Sequence, residues 1–248
     1  PTRSGMGVCE VVVFTQDLFT SLGRLPLDHL ELLIRVWAER YEALGAWEEI
    51  QYVMPFENRG VEMGVTLHHP HGQIYAYPFV PPVARQQLKA NRTYFEGSGH
   101  SILEDLIAHE LDERIRLIYE GEHFAAFVPI CARYPYEVWI APKKRIASLA
   151  ELRTRECVDL SRALKTVLLK YDGLWKKPFP YLMVVHQAPT DGNSRPEAHF
   201  HFEFTPPYRS ENRLKFLAGT ELGAGVFAND SLPEEKAREL QKVQVQID

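Results

Sequence analysis

The chain has 248 residues, 45 % of them apolar and 25 % charged, with a net charge of −5. That is ample apolar material for a sizeable core, and it leaves no positive excess with which to hold a nucleic acid. No apolar run reaches membrane-spanning length, no signal-peptide pattern opens the chain, and Cys9, Cys131 and Cys157 are too few and too scattered for a disulfide framework. The expected setting is cytoplasmic.

Pro1 is compatible with removal of an initiator methionine, and residues 11–14, a short β-branched run, read as a buried strand. Asp28 is placed to cap a helix running to Leu44, whose apolar face is Leu30, Leu33, Trp37, Tyr41 and Leu44, with Gly45 as its stop. Residues 49–56 form a strand leading to a turn at Glu57-Asn58. Residues 64–67 then lead into His69-Pro70-His71-Gly72-Gln73, and residues 73–77 continue as a strand. Pro78, Pro81 and Pro82 break regular structure before a helix over 83–96. Gly97-Ser98-Gly99 is the candidate boundary between halves, which puts one unit at 1–97 and a second at 98–248.

Residues 101–112 form a helix with a capping box, Ser101 facing Glu104. Strands follow at 116–120, 123–129 and 137–142, then a helix over 149–171 and strands at 181–186 and 199–204. On the last strand His199, His201 and Glu203 share one face, and Phe200, Phe202 and Phe204 the other. Both halves repeat one plan: strand, long helix, strand, histidine-bearing strand.

The histidine motif carries the chemistry. Pro70 fixes its own φ and holds His69 extended, Gly72 permits close backbone approach, and Gln73 offers an uncharged donor to a phosphoryl oxygen. A neutral imidazole held in one tautomer is a competent nucleophile toward phosphorus. Residues 56–76, with Phe-Glu-Asn-Arg-Gly, Met-Gly and His-Pro-His-Gly-Gln in order, resemble the galactose-1-phosphate uridylyltransferase family of the histidine-triad superfamily. The resemblance covers essentially the whole chain, but the family carries a further segment before the residue 7–14 strand. It implies an α+β fold of two histidine-triad-like units, each an antiparallel sheet with helices packed against it.

The resemblance implies that His71 attacks the α-phosphorus of UDP-glucose, that glucose 1-phosphate leaves, and that galactose 1-phosphate then takes the uridylyl group. Gln73 and Glu57 join His71 as catalytic candidates, and Asn58, Thr66, His69 and Gly72 as nucleotide or phosphate contacts. Lys215, Gly219 and Glu221 match a hexose-phosphate segment, with Thr220 where the family has Tyr; Arg209 reads as architecture, and Asn229 belongs to the same wall. Of the zinc ligands used by some members only His69 is present, with Leu18 where a histidine would stand, so no structural zinc is expected. At a second site, zinc or iron in some relatives, His186, His201 and Glu203 form a candidate set for a divalent metal. Gln87 stands there at a Glu position, and His199 lies nearby. The family implies a homodimer; a companion chain carrying the preceding segment is the other expected partner.

Two enzyme alternatives stay open: an ADP-sugar phosphorylase or nucleotidyltransferase of the same superfamily, and a small histidine-triad hydrolase, against which Gln73 argues. The non-enzyme alternative is a partner-dependent or inactive half of a split transferase.

Overall fold

The computed structural model describes residue 2 and residues 5–247, so the reading of Pro1 lies outside it. An eight-stranded sheet organises these residues, in the order β1-β3-β2-β7-β8-β6-β5-β4, and every neighbouring pair is antiparallel. The strands are β1 (Val8–Val13), β2 (Tyr52–Arg59), β3 (His71–Tyr77), β4 (Leu117–Glu120), β5 (Phe124–Phe127), β6 (Val138–Pro142), β7 (Tyr181–His186) and β8 (His201–Thr205). The run at residues 11–14 is not a buried strand: β1 is an edge, and it exposes Val11 and Val13 while Phe14 is buried. No helix among the described residues is long and apolar enough to cross a membrane.

Helices α1 (Leu27–Gly45) and α4 (Thr154–Leu174) cover one face of the sheet. Leu30, Leu33, Ile34, Trp37, Tyr41 and Leu44 of α1 are buried, along the stripe expected from their spacing, each worth about 1.5–3 kcal/mol of transfer free energy. Trp37 joins the two halves, with Phe14 on one side and Phe202 on the other, ring centroids 6.2 Å away in both cases. Helices α2 (Pro82–Ser98) and α3 (Ile102–Glu113) lie on the opposite face, α2 over Tyr52, Met54 and Tyr77, and α3 over Leu117, Phe127 and Trp139. Between them Gln87 of α2 reaches down to Glu203 of β8.

The repeated plan is realised as a pseudo-two-fold. β1-α1-β2-β3 and β6-α4-β7-β8 are the same strand–helix–hairpin unit, and they meet where β2 pairs with β7. Phe56 pairs with Val184 across that junction; Phe56 pairs also with Gln73, and Val184 with Glu203. Gln73 and Glu203 are therefore equivalent positions. Two residues earlier on each strand stand His71 and His201, and before those His69 and His199.

Several local expectations change. Asp28 is not the cap of α1: Pro26 holds that position with an extended ψ of 153°, and Asp28 sits in the first turn, where a carboxylate suits the helix dipole. Gly45 does end α1, though without a positive φ; a Cβ there would lie 2.5 Å from Thr190 Cγ2, so close approach is what requires glycine. Glu57 and Asn58 lie inside β2, and the turn falls at Gly60 (φ 92°) and Gly64 (φ 80°). Residues 65–68 are irregular loop. The helix expected over 149–171 is a 3₁₀ turn, Leu149–Glu151, followed by α4. The capping box on α3 is present in both directions.

The hairpin β9 (Tyr208–Ser210) and β10 (Arg213–Leu214), the π-helical turn Gly219–Gly223 and helix α5 (Pro233–Gln241) complete the chain.

Candidate active site

His71 opens β3 at the sheet end where Phe14 N–H donates to the Pro70 carbonyl at 3.0 Å. Its Nδ1 lies 2.7 Å from the His69 carbonyl oxygen. A carbonyl only accepts, so Nδ1 carries the proton and Nε2 keeps its lone pair. Among the described residues that Nε2 has no hydrogen-bond partner. His71 lines a cavity of about 240 Å³ together with Phe19, Arg24, Glu57, Asn58 and Arg59. A fixed tautomer, a free lone pair and an adjacent cavity are what a nucleophilic imidazole needs.

Strand alternation places the neighbours. His71 and Gln73 share the open face, and Asn58 joins them there, two residues along β2 from Phe56, the register partner of Gln73. Glu57 turns to the helix-covered side, where the fully buried Tyr181 hydroxyl donates to it at 2.8 Å. Burial pushes the Glu57 carboxyl up to about 7, against the lowering effect of the Tyr181 hydroxyl and Arg59. Arg59 is held by Asp172 through two contacts, at 2.8 and 3.0 Å. Glu57 is thus a floor of the cavity rather than a neighbour of Nε2 on the open face.

The fold also places the other candidate phosphate contacts. Gly72 faces the core: a Cβ there would stand 2.7 Å from Phe14 Cζ and 3.0 Å from the Phe56 carbonyl oxygen, so it makes room for packing, not for ligand. His69 lines the cavity, but its Nε2 donates to the Thr15 carbonyl and so braces the motif. Thr66 is exposed on the loop and is not part of the cavity wall. Arg24, by contrast, enters the cavity wall with no ion-pair partner among the described residues, and supplies the positive charge that sequence reading missed. Its 3₁₀ turn (Leu22–Arg24) packs on α4, a tertiary placement with no local signal.

The second histidine cluster sits on the same face of the sheet. His186 and His201 pair directly in register, with ring centroids 5.2 Å apart. Glu203 Oε1 accepts from His201 Nε2 at 3.2 Å and from Gln87 at 2.9 Å; Oε2 accepts from Arg133 at 2.6 Å and lies 3.6 Å from His186 Nε2. Burial alone would raise the Glu203 carboxyl, but the His186 and His201 contacts outweigh it and hold it well below the usual range. His199 is no spare ligand: Nε2 faces the Pro142 carbonyl and Nδ1 accepts from Ser101, each at 2.8 Å, and burial lowers its pKa to about 4. These donors do not fit a metal ion. The Glu203 oxygens are committed to N–H donors, and no group of three His, Cys, Asp or Glu side chains among the described residues is arranged to hold one.

The hexose segment does not reach the His71 cavity within one chain. Lys215 is buried, donates to the Ala228 carbonyl and lies 3.7 Å from Glu221. Glu221 accepts from the Ala218 and Ala228 backbone N–H groups at 3.1 and 3.2 Å, and Gly219 opens the π-helical turn. Asn229 donates to the Ala132 carbonyl at 2.9 Å, and Arg209 pairs with Asp230 at 2.6 Å.

This geometry has known counterparts. The galactose-1-phosphate uridyl transferase family models match, the N-terminal domain over residues 1–81 and the C-terminal domain over 87–247. The galactose-1-phosphate uridylyltransferase of Thermotoga maritima is 42 % identical over 242 residues, 97 % of this chain and 76 % of that enzyme; the Haemophilus influenzae enzyme is 36 % identical over 94 % of this chain and 66 % of its own length. A solved uridylyltransferase superposes with TM-score 0.90 at 36 % identity, covering 96 % of this chain and 76 % of the other. An ADP-glucose phosphorylase from Arabidopsis thaliana, solved with bound ADP-glucose, gives 0.87 at 26 % identity, over 98 % and 76 %. The chain spans between about three fifths and three quarters of the length of these first relatives. With the motif, the fold and both domain models in agreement, the chain belongs to the galactose-1-phosphate uridylyltransferase family.

Proposed function

We propose that this chain transfers a uridylyl group from UDP-glucose to galactose 1-phosphate through a covalent intermediate on His71. The observation that carries the reading is the His71 Nδ1–H donated to the His69 carbonyl at 2.7 Å, which leaves Nε2 free beside the cavity. The Nε2 lone pair attacks the α-phosphorus, a P–N bond forms, and the P–O bond to glucose 1-phosphate breaks with its electron pair. A phosphate oxygen of galactose 1-phosphate then displaces the imidazole. No proton need be transferred: the ring becomes cationic in the intermediate, and its Nδ1–H bond to the carbonyl strengthens as the charge develops. In this reading Gln73, two residues along β3 from His71, and Asn58, in the cavity wall, donate to phosphoryl oxygens without protonating the nucleophile, and Arg24, in the same wall, offsets phosphate charge.

The reading extends to a cytoplasmic homodimer. Lys215, Gly219 and Glu221 lie away from the His71 cavity in one chain, and Phe216, Leu222 and Val226 beside them are exposed apolar side chains suited to a second copy. Sedimentation of the purified chain tests this; a monomer at all concentrations rejects it.

Intact-mass spectrometry after incubation with UDP-glucose tests the mechanism. An acid-labile uridylyl adduct that His71→Ala abolishes and galactose 1-phosphate discharges is the expected result. An adduct formed from ADP-glucose in its place would reassign the donor.

A further inference from the structure

We infer that the second histidine cluster is a closed counterpart of the first, in which the Arg133 guanidinium, and not a metal cation, balances the buried Glu203 carboxylate. The register makes Glu203 the equivalent of Gln73 and His201 that of His71, and the repeat extends to atoms: His201 Nδ1 faces the His199 carbonyl at 3.4 Å, as His71 Nδ1 faces that of His69.

The two hairpins then diverge at Nε2. In the first it is free; in the second it points at the Glu203 carboxylate, which only accepts, so that nitrogen carries a proton and offers no lone pair to phosphorus or to a metal. Access diverges too. The cavity at His186 and His201 measures about 20 Å³ beneath Gln87 and Asn91 of α2, room for a water molecule and not for a nucleotide.

A buried carboxylate needs a counter-charge. Arg133 supplies it at 2.6 Å, and Glu203 is almost wholly buried. Arg133 comes from the loop between β5 and β6 and also stacks on Phe227 at 5.5 Å, while the adjacent Ala132 carbonyl accepts from Asn229. One guanidinium thus ties β8 to this loop and the loop to the C-terminal segment. A divalent ion here would sit beside that fixed positive charge and would have to displace N–H donors from both carboxylate oxygens.

The test uses the full chain expressed in zinc- and iron-supplemented medium. Elemental analysis should find no stoichiometric zinc or iron, and the melting temperature should not move with EDTA or added zinc chloride. Arg133→Met should melt lower and gain a zinc-dependent rise in melting temperature that is lost in Arg133→Met/His186→Ala. Arg133 also lies 3.6 Å from the buried Glu137, so if Arg133→Met does not fold, Arg133→Met/Glu137→Gln/Glu203→Gln, which removes all three charges, should fold without metal. About one equivalent of metal in the unaltered chain, lost in His186→Ala, would overturn the inference. So would a folded Arg133→Met that melts as the unaltered chain does and ignores zinc, or a triple variant that needs metal to fold.

Discussion

His69-Pro70-His71-Gly72-Gln73 and His199-Phe200-His201-Phe202-Glu203 occupy equivalent places in the sheet and present the same imidazole twice. The first has an amide two residues after the inner histidine, the second a carboxylate. That difference decides where protons sit: an amide leaves Nε2 of His71 alone, whereas Glu203 draws the Nε2–H of His201 to itself and recruits Arg133 and Gln87 around it. The intervening residue differs as sharply. Phe202 fills its own share of the core, while Gly72 yields its share to Phe14, which reaches in from the end of β1. A loop that arrives beside the first hairpin leaves a cavity there; a helix laid over the second closes it. Reactivity in this fold is a matter of what surrounds an imidazole.

The contrast can be broken from either side. His71→Ala should reduce transfer by on the order of a thousandfold or more, while His201→Gln should still form the uridylyl adduct, as read by intact mass and turnover. Gln73→Glu gives the first hairpin the residue of the second, and should cost about a hundredfold or more in turnover by adding a negative charge beside the phosphate and drawing the proton to Nε2. Equal activity in Gln73→Glu would mean that the amide is not what separates the two sites.

Glu57 sharpens the comparison through stability. Its carboxyl is raised by burial to about 7 in the folded chain, above its unfolded value, so both states are protonated at low pH and only the unfolded state ionises as pH rises. Folding should therefore lose stability from about pH 4.5 to pH 7 and level off above. Glu57→Gln should flatten that slope and gain up to about 3 kcal/mol at pH 8, measured by denaturant unfolding across the range. Gly72→Ala should destabilise by about 1–3 kcal/mol through its clash with Phe14 and the Phe56 carbonyl. A neutral result would show that Phe14 can move aside.

Much of this was legible in order along the chain. The apolar stripe of α1, the capping box of α3, the strand at Tyr181–His186 and the alternation of histidines and phenylalanines on β8 follow from periodicity. The repeated plan of the halves was visible, but not its register, which depends on the Phe56–Val184 pair across β2 and β7. Glu57 and Asn58 looked like a turn because Asn and Gly cluster there; pairing with β7 extends the strand through them and moves the turn to Gly60. Gly72 looked like a ligand approach because a glycine's neighbours in space are invisible from its neighbours in sequence.

By itself, the sequence determined how the His71 ring is held: His69 and His71 two residues apart across a proline put a carbonyl within reach of Nδ1, and that is local covalent geometry. It also determined the strand and helix periods, since those follow from side-chain pattern. Only the tertiary structure decided that Arg24 meets His71 at one cavity, that Lys215 and Glu221 turn inward on each other, and that Arg133 closes on Glu203, 70 positions along the chain. Charges and hydrogen bonds act over a few ångströms in space, and folding alone determines which residues come that close.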